Sequence, residues 1–261
     1  MRPSELGGEQ VEGRQAVREL LAAGRRRARE ILLAQGLEDA GILREIVELA
    51  TAAQVPVRRV SRARLEGAAR TDAPQGVLAT AAPLPVADLA TLAGRRRGPP
   101  VEAGRRQGPP FLLVLDGVLD PHNLGALLRT AEAAGATGAV LPRRRAAHVT
   151  PVVAKAAAGA IERVPIALVA GIAAALQELR SRGVWTVGLD PGGTTSVYDL
   201  TVATEPLALV LGSEGRGLGR LVAERCEVRA RIPLAGSIGS LNVAAAAAIS
   251  CFEVARRRAA G

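Results

Sequence analysis

From Phe111 onward the chain alternates short apolar runs with longer amphipathic stretches, a pattern that leaves few architectures open. FLLVLD is a run of strand length, and the NLGALLRTAEAAG that follows brings Leu124, Leu127, Leu128 and Ala131 onto one helical face. TGAVLP predicts the next strand, followed by a helix with Thr150 as N-cap and Pro151 at its first position. VPIALV, the helix IAAALQELRSRG, the strands VWTVGL and LALVLG, a helix beginning near Leu218, the strand VRARIPL and a long last helix continue the series. Parallel neighbours need a crossover long enough to bring the chain back, and a helix is the usual one. The expected class is therefore α/β, a mostly parallel sheet covered by helices on both faces.

The first part of the chain follows a shorter version of the same logic. VRELLAAG places Val17, Leu20 and Leu21 on one helical face, and REILLA reads as a strand. LREIVELATAAQ repeats Leu43, Ile46, Val47 and Ala50 at helical spacing, and VPVRRV and GVLAT follow as strands. Residues 1–92 read as a small α/β domain. Between Ala93 and Pro110 the segment AGRRRGPPVEAGRRQGPP carries paired prolines and five arginines without apolar periodicity. It reads as a linker over 93–110, leaving 111–261 as a second domain, and 261 residues are enough for both.

Charge narrows the class of partner. A formal net charge of +9 and a pI near 11.2 fit a polyanion such as nucleic acid, with an anionic membrane surface as the competitor, and charge alone does not choose between them. Lys155 is the only lysine, so the arginine excess also admits an origin in coding-sequence composition. Aromatic residues make up 2%, too few for the stacking platforms that grip single strands, so RNA contact has to rest on charge and shape. Arg25 to Arg27, Arg95 to Arg97, Arg105 and Arg106 are the phosphate-contact candidates. Cys226 and Cys251 lack CxxC spacing, and with His122 and His148 they form no zinc set, so no metal is expected. They read as reduced, buried thiols. Arg2, Glu5, Glu9 and Glu12 interrupt any apolar leader, and LNVAAAAAISCF is too short to span a bilayer. A cytoplasmic protein with no membrane partner is the expectation.

In open parallel sheets ligands gather beyond the carboxyl ends of the strands. Three post-strand segments stand out there: DGVLDPHNLGALLRTAEAAG from Asp116, LGSEGRGLG from Leu211, and RIPLAGSIGSLNVA from Arg231. The glycine-rich one matches neither a Walker loop nor the GxGxxG dinucleotide fingerprint, which sets aside nucleotide hydrolysis and nicotinamide chemistry. Taken together, the three closely resemble the ordered motifs of the SpoU ribose methyltransferases, over about Phe111 to Arg258. GRQAVRELL and TDAPQGVLA resemble the RNA substrate-binding domain, similar to a ribosomal-protein fold, that precedes the catalytic domain in the family's ribosomal-RNA branch.

The resemblance implies transfer of a methyl group from S-adenosylmethionine to a ribose 2'-hydroxyl of RNA, in first place a guanosine of 23S rRNA. Another rRNA nucleotide, including the antibiotic-resistance type, or tRNA is the alternative within the family. A non-catalytic RNA-binding assembly factor is the alternative of a different class. The resemblance also implies a deep trefoil knot in the catalytic domain, where general topology rules predict an open doubly wound sheet. Gly212, Ile232 and Leu241 match the cofactor-binding positions. Arg129, Asn123, Glu214, Ser240 and Asn242 match the catalytic ones. Guanidinium keeps its proton, so phosphate binding and alkoxide stabilisation weigh equally with a base role for Arg129. Glu214 and Asn242 also read as caps of the helices that follow them, and His122 reads as structural. A homodimer that places Arg129 against the other subunit's pocket is implied too, with no DNA partner. Two departures from the family pattern are LNVA at Leu241 to Ala244, where LNVS is frequent, and PQG at Pro74 to Gly76, where HQG is frequent.

Overall fold

The computed structural model describes residues 6–37, 41–94, 108–144 and 147–260. Most of the linker reading, with Arg95 to Arg97, Arg105 and Arg106, lies outside the described residues. Two compact units divide the chain, and neither is contiguous in sequence. One comprises residues 1–85, 120–129 and 147–163, the other 86–119, 130–146 and 164–261.

The first unit is built on β1 (Gln10–Glu12), α1 (Arg14–Ala23), β2 (Ala28–Ala34), α2 (Gly41–Ala52), β3 (Val57–Val60), α3 (Arg62–Ala68) and β4 (Val77–Ala81). The sheet order is β1-β4-β2-β3, with β2 and β3 parallel and β4 antiparallel to both its neighbours. The helical spacing of Val17, Leu20 and Leu21 in α1 and of Leu43, Ile46 and Ala50 in α2 delivers these side chains to one core with Ile31, Leu33, Val77 and Ala79. Leu65 of α3 packs with Ala34 and Val60 in a second cluster. Burying apolar side chains at roughly 1.5–3 kcal/mol each is what holds so short a sheet.

Arg26 corrects one sequence expectation. Instead of facing a phosphate, its side chain is 2% exposed and forks onto Glu162, itself 1% exposed. Nε reaches Oε2 at 2.9 Å and Nη2 reaches Oε1 at 2.5 Å, while Nη1 donates to the carbonyls of Gly8 and Ala82, both at 2.6 Å. Charge in the sequence does not say which arginine of a run turns inward. Arg25 and Arg27 remain exposed, Arg25 donating to the Glu162 carbonyl at 3.1 Å.

The second unit contains β5 (Val86–Ala87), α4 (Leu89–Ala93) and β6 (Phe111–Asp116). α5 (Pro121–Ala133) begins two residues before the expected start. Asp120 accepts from the amides of His122 and Asn123, each at 3.2 Å, and Pro121 takes the first helical position, so His122 lies inside the first turn. β7 (Gly138–Pro142) follows, whereas α6 (Pro151–Ala156) and the Pro121–Arg129 part of α5 belong to the first unit; α6 is capped by the Thr150 side chain as the sequence predicts. The remaining elements are β8 (Ile166–Val169), α7 (Ile172–Ser181), β9 (Trp185–Leu189), β10 (Thr195–Ser196), β11 (Leu207–Gly212), α8 (Arg220–Arg225), β12 (Val228–Arg231) and α9 (Val243–Ala260).

Eight strands form one sheet in the order β10-β12-β9-β11-β6-β7-β8-β5, and every pairing is parallel. The central strands β6 and β11 are buried along nearly their whole length, which is why both read as unbroken apolar runs. β12 ends at Arg231, so the expected strand VRARIPL is cut short and Ile232 falls in the loop beyond it. Arg258, near the end of α9, donates to the carbonyls of Pro109, Pro110, Ala203 and Glu205 and stacks 5.3 Å from the centre of the Phe111 ring. Burial lowers its pKa to about 10. No helix of the described residues is long and apolar enough to cross a membrane.

Candidate active site

The carboxyl ends of β6 and β11 lie side by side, with Asp116 paired in register to Gly212. A tight loop leaves β11: Ser213 and Gly217 exchange amide-to-carbonyl bonds at 3.0 and 2.9 Å, and Gly215 and Gly217 turn the chain at φ +77° and +66°. The loop folds back onto Gly212 so closely that a Cβ there would stand 2.0 Å from the Gly217 carbonyl carbon and 2.3 Å from the Leu218 amide nitrogen. Only glycine fits this close backbone approach.

Asp116 fastens the other end of the loop. Its Oδ2 accepts the Gly219 amide at 2.8 Å, and Gly219 is the N-cap of α8. Asp116 has no role among the residues that the family resemblance assigns. The signal was a carboxylate closing an apolar strand next to a glycine-rich loop. Beneath the loop, burial first, then the charges of Asp116, Asp190 and Glu227, push the half-buried Cys226 thiol up to about 12. Cys251 is fully buried and, by burial alone, also raised to about 12. Cys226 was expected to be buried. It is only partly so, although its raised pKa still keeps it a thiol at neutral pH.

Glu214, at the exposed apex of the loop, does not cap α8. It accepts a 2.7 Å hydrogen bond from Asn242 Nδ2. Asn242 in turn caps α9, its Oδ1 accepting the Ala244 amide at 2.9 Å and its carbonyl the Ala246 amide at 2.9 Å. One side chain thus ends the 232–241 segment, starts the last helix and ties both to the β11 loop. Ile232 and Leu241 are half-buried and Ser240 is exposed, all outside helix and strand. The structure therefore brings Gly212, Glu214 and Asn242 together around these loops. Asn123 and Arg129 both belong to the first unit, Asn123 half-buried in the first turn of α5 and Arg129 exposed one turn before its end.

Gly212→Ala should be among the most damaging small substitutions, because the three nearest atoms its methyl would meet are all backbone. Overpacking of this kind costs roughly 1–3 kcal/mol, enough to weaken a loop-held ligand about tenfold or more. Calorimetry with S-adenosylmethionine on a folded variant measures this, and unchanged affinity would show that the loop carries no part of the site.

The SpoU rRNA Methylase family model matches residues 110–252, and the RNA 2'-O ribose methyltransferase substrate binding model matches residues 10–87. The chain is 38% identical over 255 residues to the 23S rRNA (guanosine-2'-O-)-methyltransferase RlmB of Pseudomonas syringae pv. tomato, covering 97% of each. It is 40% identical to YacO of Bacillus subtilis, which is named a provisional TrmH family tRNA/rRNA methyltransferase, over 84% of each. The SpoU methyltransferase AviRb of Streptomyces viridochromogenes, solved in complex with the cofactor AdoMet, superposes with a TM-score of 0.77 at 25% identity, covering 97% of this chain and 91% of that one.

Proposed function

The chain belongs to the SpoU rRNA methylase family, and from that membership we propose that it methylates the ribose 2'-hydroxyl of a guanosine in 23S rRNA, using S-adenosylmethionine. The observation that carries this reading is the joining of Gly212, Glu214 and Asn242 at the carboxyl ends of parallel strands, in a chain whose near-full-length relative bears that activity in its name.

S-adenosylmethionine supplies, when bound, a methyl group on a positively charged sulfur. The loops fit such a molecule: Gly212 admits backbone where a side chain would intrude, and 232–241 keeps its amides and carbonyls outside helix and strand. Adenine, a flat ring edged with donors and acceptors, suits the backbone amides and carbonyls that 232–241 leaves outside helix and strand. Glu214 and Asn242 act as one hydrogen-bonded unit that sets the spacing of the two loops, and Ser240 adds a hydroxyl beside them. Arg129 and Asn123 serve the RNA side. The guanidinium grips the phosphate next to the target ribose and stabilises the negative charge that develops on the oxygen as the hydroxyl proton passes to solvent water.

In this reading 1–92 is the RNA substrate-binding domain, 93–110 the linker and 111–261 the catalytic domain, a division supported by family matches over 10–87 and 110–252, although β5 and α4 belong to the second compact unit. A trefoil knot belongs to this reading as well, on the family membership alone. The active form is a homodimer in the cytoplasm, each subunit's Arg129 completing the pocket of the other.

Calorimetry tests the cofactor half of the reading: tight S-adenosylmethionine binding is expected, and tight NAD binding without it contradicts the assignment. Affinity for 23S rRNA should fall steeply with added salt, because aromatics are scarce and arginines supply the contacts. A salt-insensitive affinity would contradict the charge-led mode of binding.

A further inference from the structure

The carboxyl ends of the parallel strands β2 and β3 in the first unit open onto a cavity of about 410 Å³ that none of the catalytic assignments uses. Leu33 comes from the end of β2, Leu37 from the residues after it, and Leu43 and Val47 from α2, forming an apolar wall. The PQG turn positions part of that wall. Gln75 and Gly76 take φ of +56° and +73°, and a Cβ on Gly76 would stand 2.6 Å from Leu37 Cδ2. Gly76 thus lets Leu37 sit where it does.

The rim is polar and chemically specific. Arg44 and Glu48 lie one turn apart on α2, and Arg59, the last residue but one of β3, pairs in register with Leu33. Nearby charges are already committed, Glu45 to Arg18 and Arg58 to Glu30, whereas neither Glu48 nor Arg59 takes part in an ion pair among the described residues.

We infer that this cavity holds one unstacked base of the substrate RNA, and that the base is a guanine. The inference rests on the RNA-methylating reading above and extends it to substrate choice. A flat heteroaromatic ring fits an open depression of this size, with an apolar floor and a charged rim, whose volume lies within the range of small-molecule sites. With few aromatics in the chain, a leucine and valine slot takes the place of a stacking platform. Arg59 at the rim matches a phosphate beside a splayed-out nucleotide. An ionised carboxylate only accepts hydrogen bonds. Guanine alone among the four bases sets two adjacent N–H donors, N1–H and the N2 amino group, on its Watson–Crick edge, a bidentate match for Glu48.

Fluorescence anisotropy with the full chain and labelled pentanucleotides UUGUU, UUIUU, UUAUU, UUCUU and UUUUU tests this, inosine lacking only the N2 amino group. UUGUU should bind about tenfold more tightly than UUIUU, the loss expected for one charge-assisted hydrogen bond. Glu48→Gln should bring the two within about twofold, since the amide presents one acceptor in place of two. Arg59→Ala should weaken all five alike and reduce the salt slope by about one unit. Glu66→Gln, on exposed α3, is the control and should retain the wild-type preference.

A guanine preference that survives Glu48→Gln overturns the proposal. A wild-type chain that methylates 23S rRNA yet binds the five pentanucleotides alike overturns the cavity's role alone. One that neither methylates RNA nor binds any of them overturns both readings.

Discussion

Glu162→Ala is expected to destabilise the protein by about 3–5 kcal/mol, the cost of leaving one member of a buried ion pair without its partner. Arg26 would keep its bonds to the Gly8 and Ala82 carbonyls but lose both contacts to carboxylate, in a place where 2% of its side chain meets solvent. Arg26→Ala should cost a similar amount, because it strands Glu162 and two carbonyls. Replacing both residues by apolar ones, Arg26→Met with Glu162→Leu, should cost less than either single change, since a buried pair gains little over a packed apolar isostere. Urea denaturation of the four proteins checks the ordering. Additive losses in the double variant would show that the pair is not coupled as the geometry indicates.

Arg129→Ala should lower kcat for methyl transfer by about 10²–10³, the loss typical of removing a preorganised donor aimed at developing charge. S-adenosylmethionine affinity should be retained, because the cofactor loops all lie in the other compact unit. Arg129→Lys should not restore the rate, as an ammonium cannot replace a planar fork on a phosphate. A shared site adds a further expectation. Arg129→Ala and Asn242→Ala chains, each inactive alone, should regain activity when mixed and refolded. Random pairing makes about half the dimers mixed, each with one of its two sites intact, so recovery should approach roughly a quarter of wild type. Verified heterodimers without activity would place both residues in one subunit's site.

Much of the architecture was legible because the apolar period carried it. The strands FLLVLD and LALVLG and the helices around Leu20, Ile46 and Leu127 follow directly from spacing, and Thr150 and Pro151 marked a helix start to the residue. What stayed hidden depended on contacts distant in sequence. β1 spans only Gln10–Glu12 and pairs with β4 some seventy residues later, so no local pattern announces it. Arg26 looked like its neighbours in an arginine run until Glu162 turned it inward. Helical periodicity placed the start of α5 at Asn123, whereas the Asp120 cap places it at Pro121.

The site residues were named by resemblance to a family, and local reasoning alone read Asn242 as a cap. It is one, and its amide group also holds Glu214. A helix cap and a loop clasp use different atoms of the same side chain, so neither role excludes the other. Asp116 escaped notice for the converse reason: its partner, the Gly219 amide, is a backbone group that no residue pattern reveals.

Nucleoside analysis of the reaction product tests the central claim most directly. Wild-type protein is incubated with 23S rRNA lacking the modification and with methyl-labelled S-adenosylmethionine, and the RNA is digested to nucleosides and resolved by mass spectrometry. Label in 2'-O-methylguanosine alone is the predicted result. Label on a base nitrogen or carbon, or no incorporation by folded protein that binds the cofactor, would contradict the account.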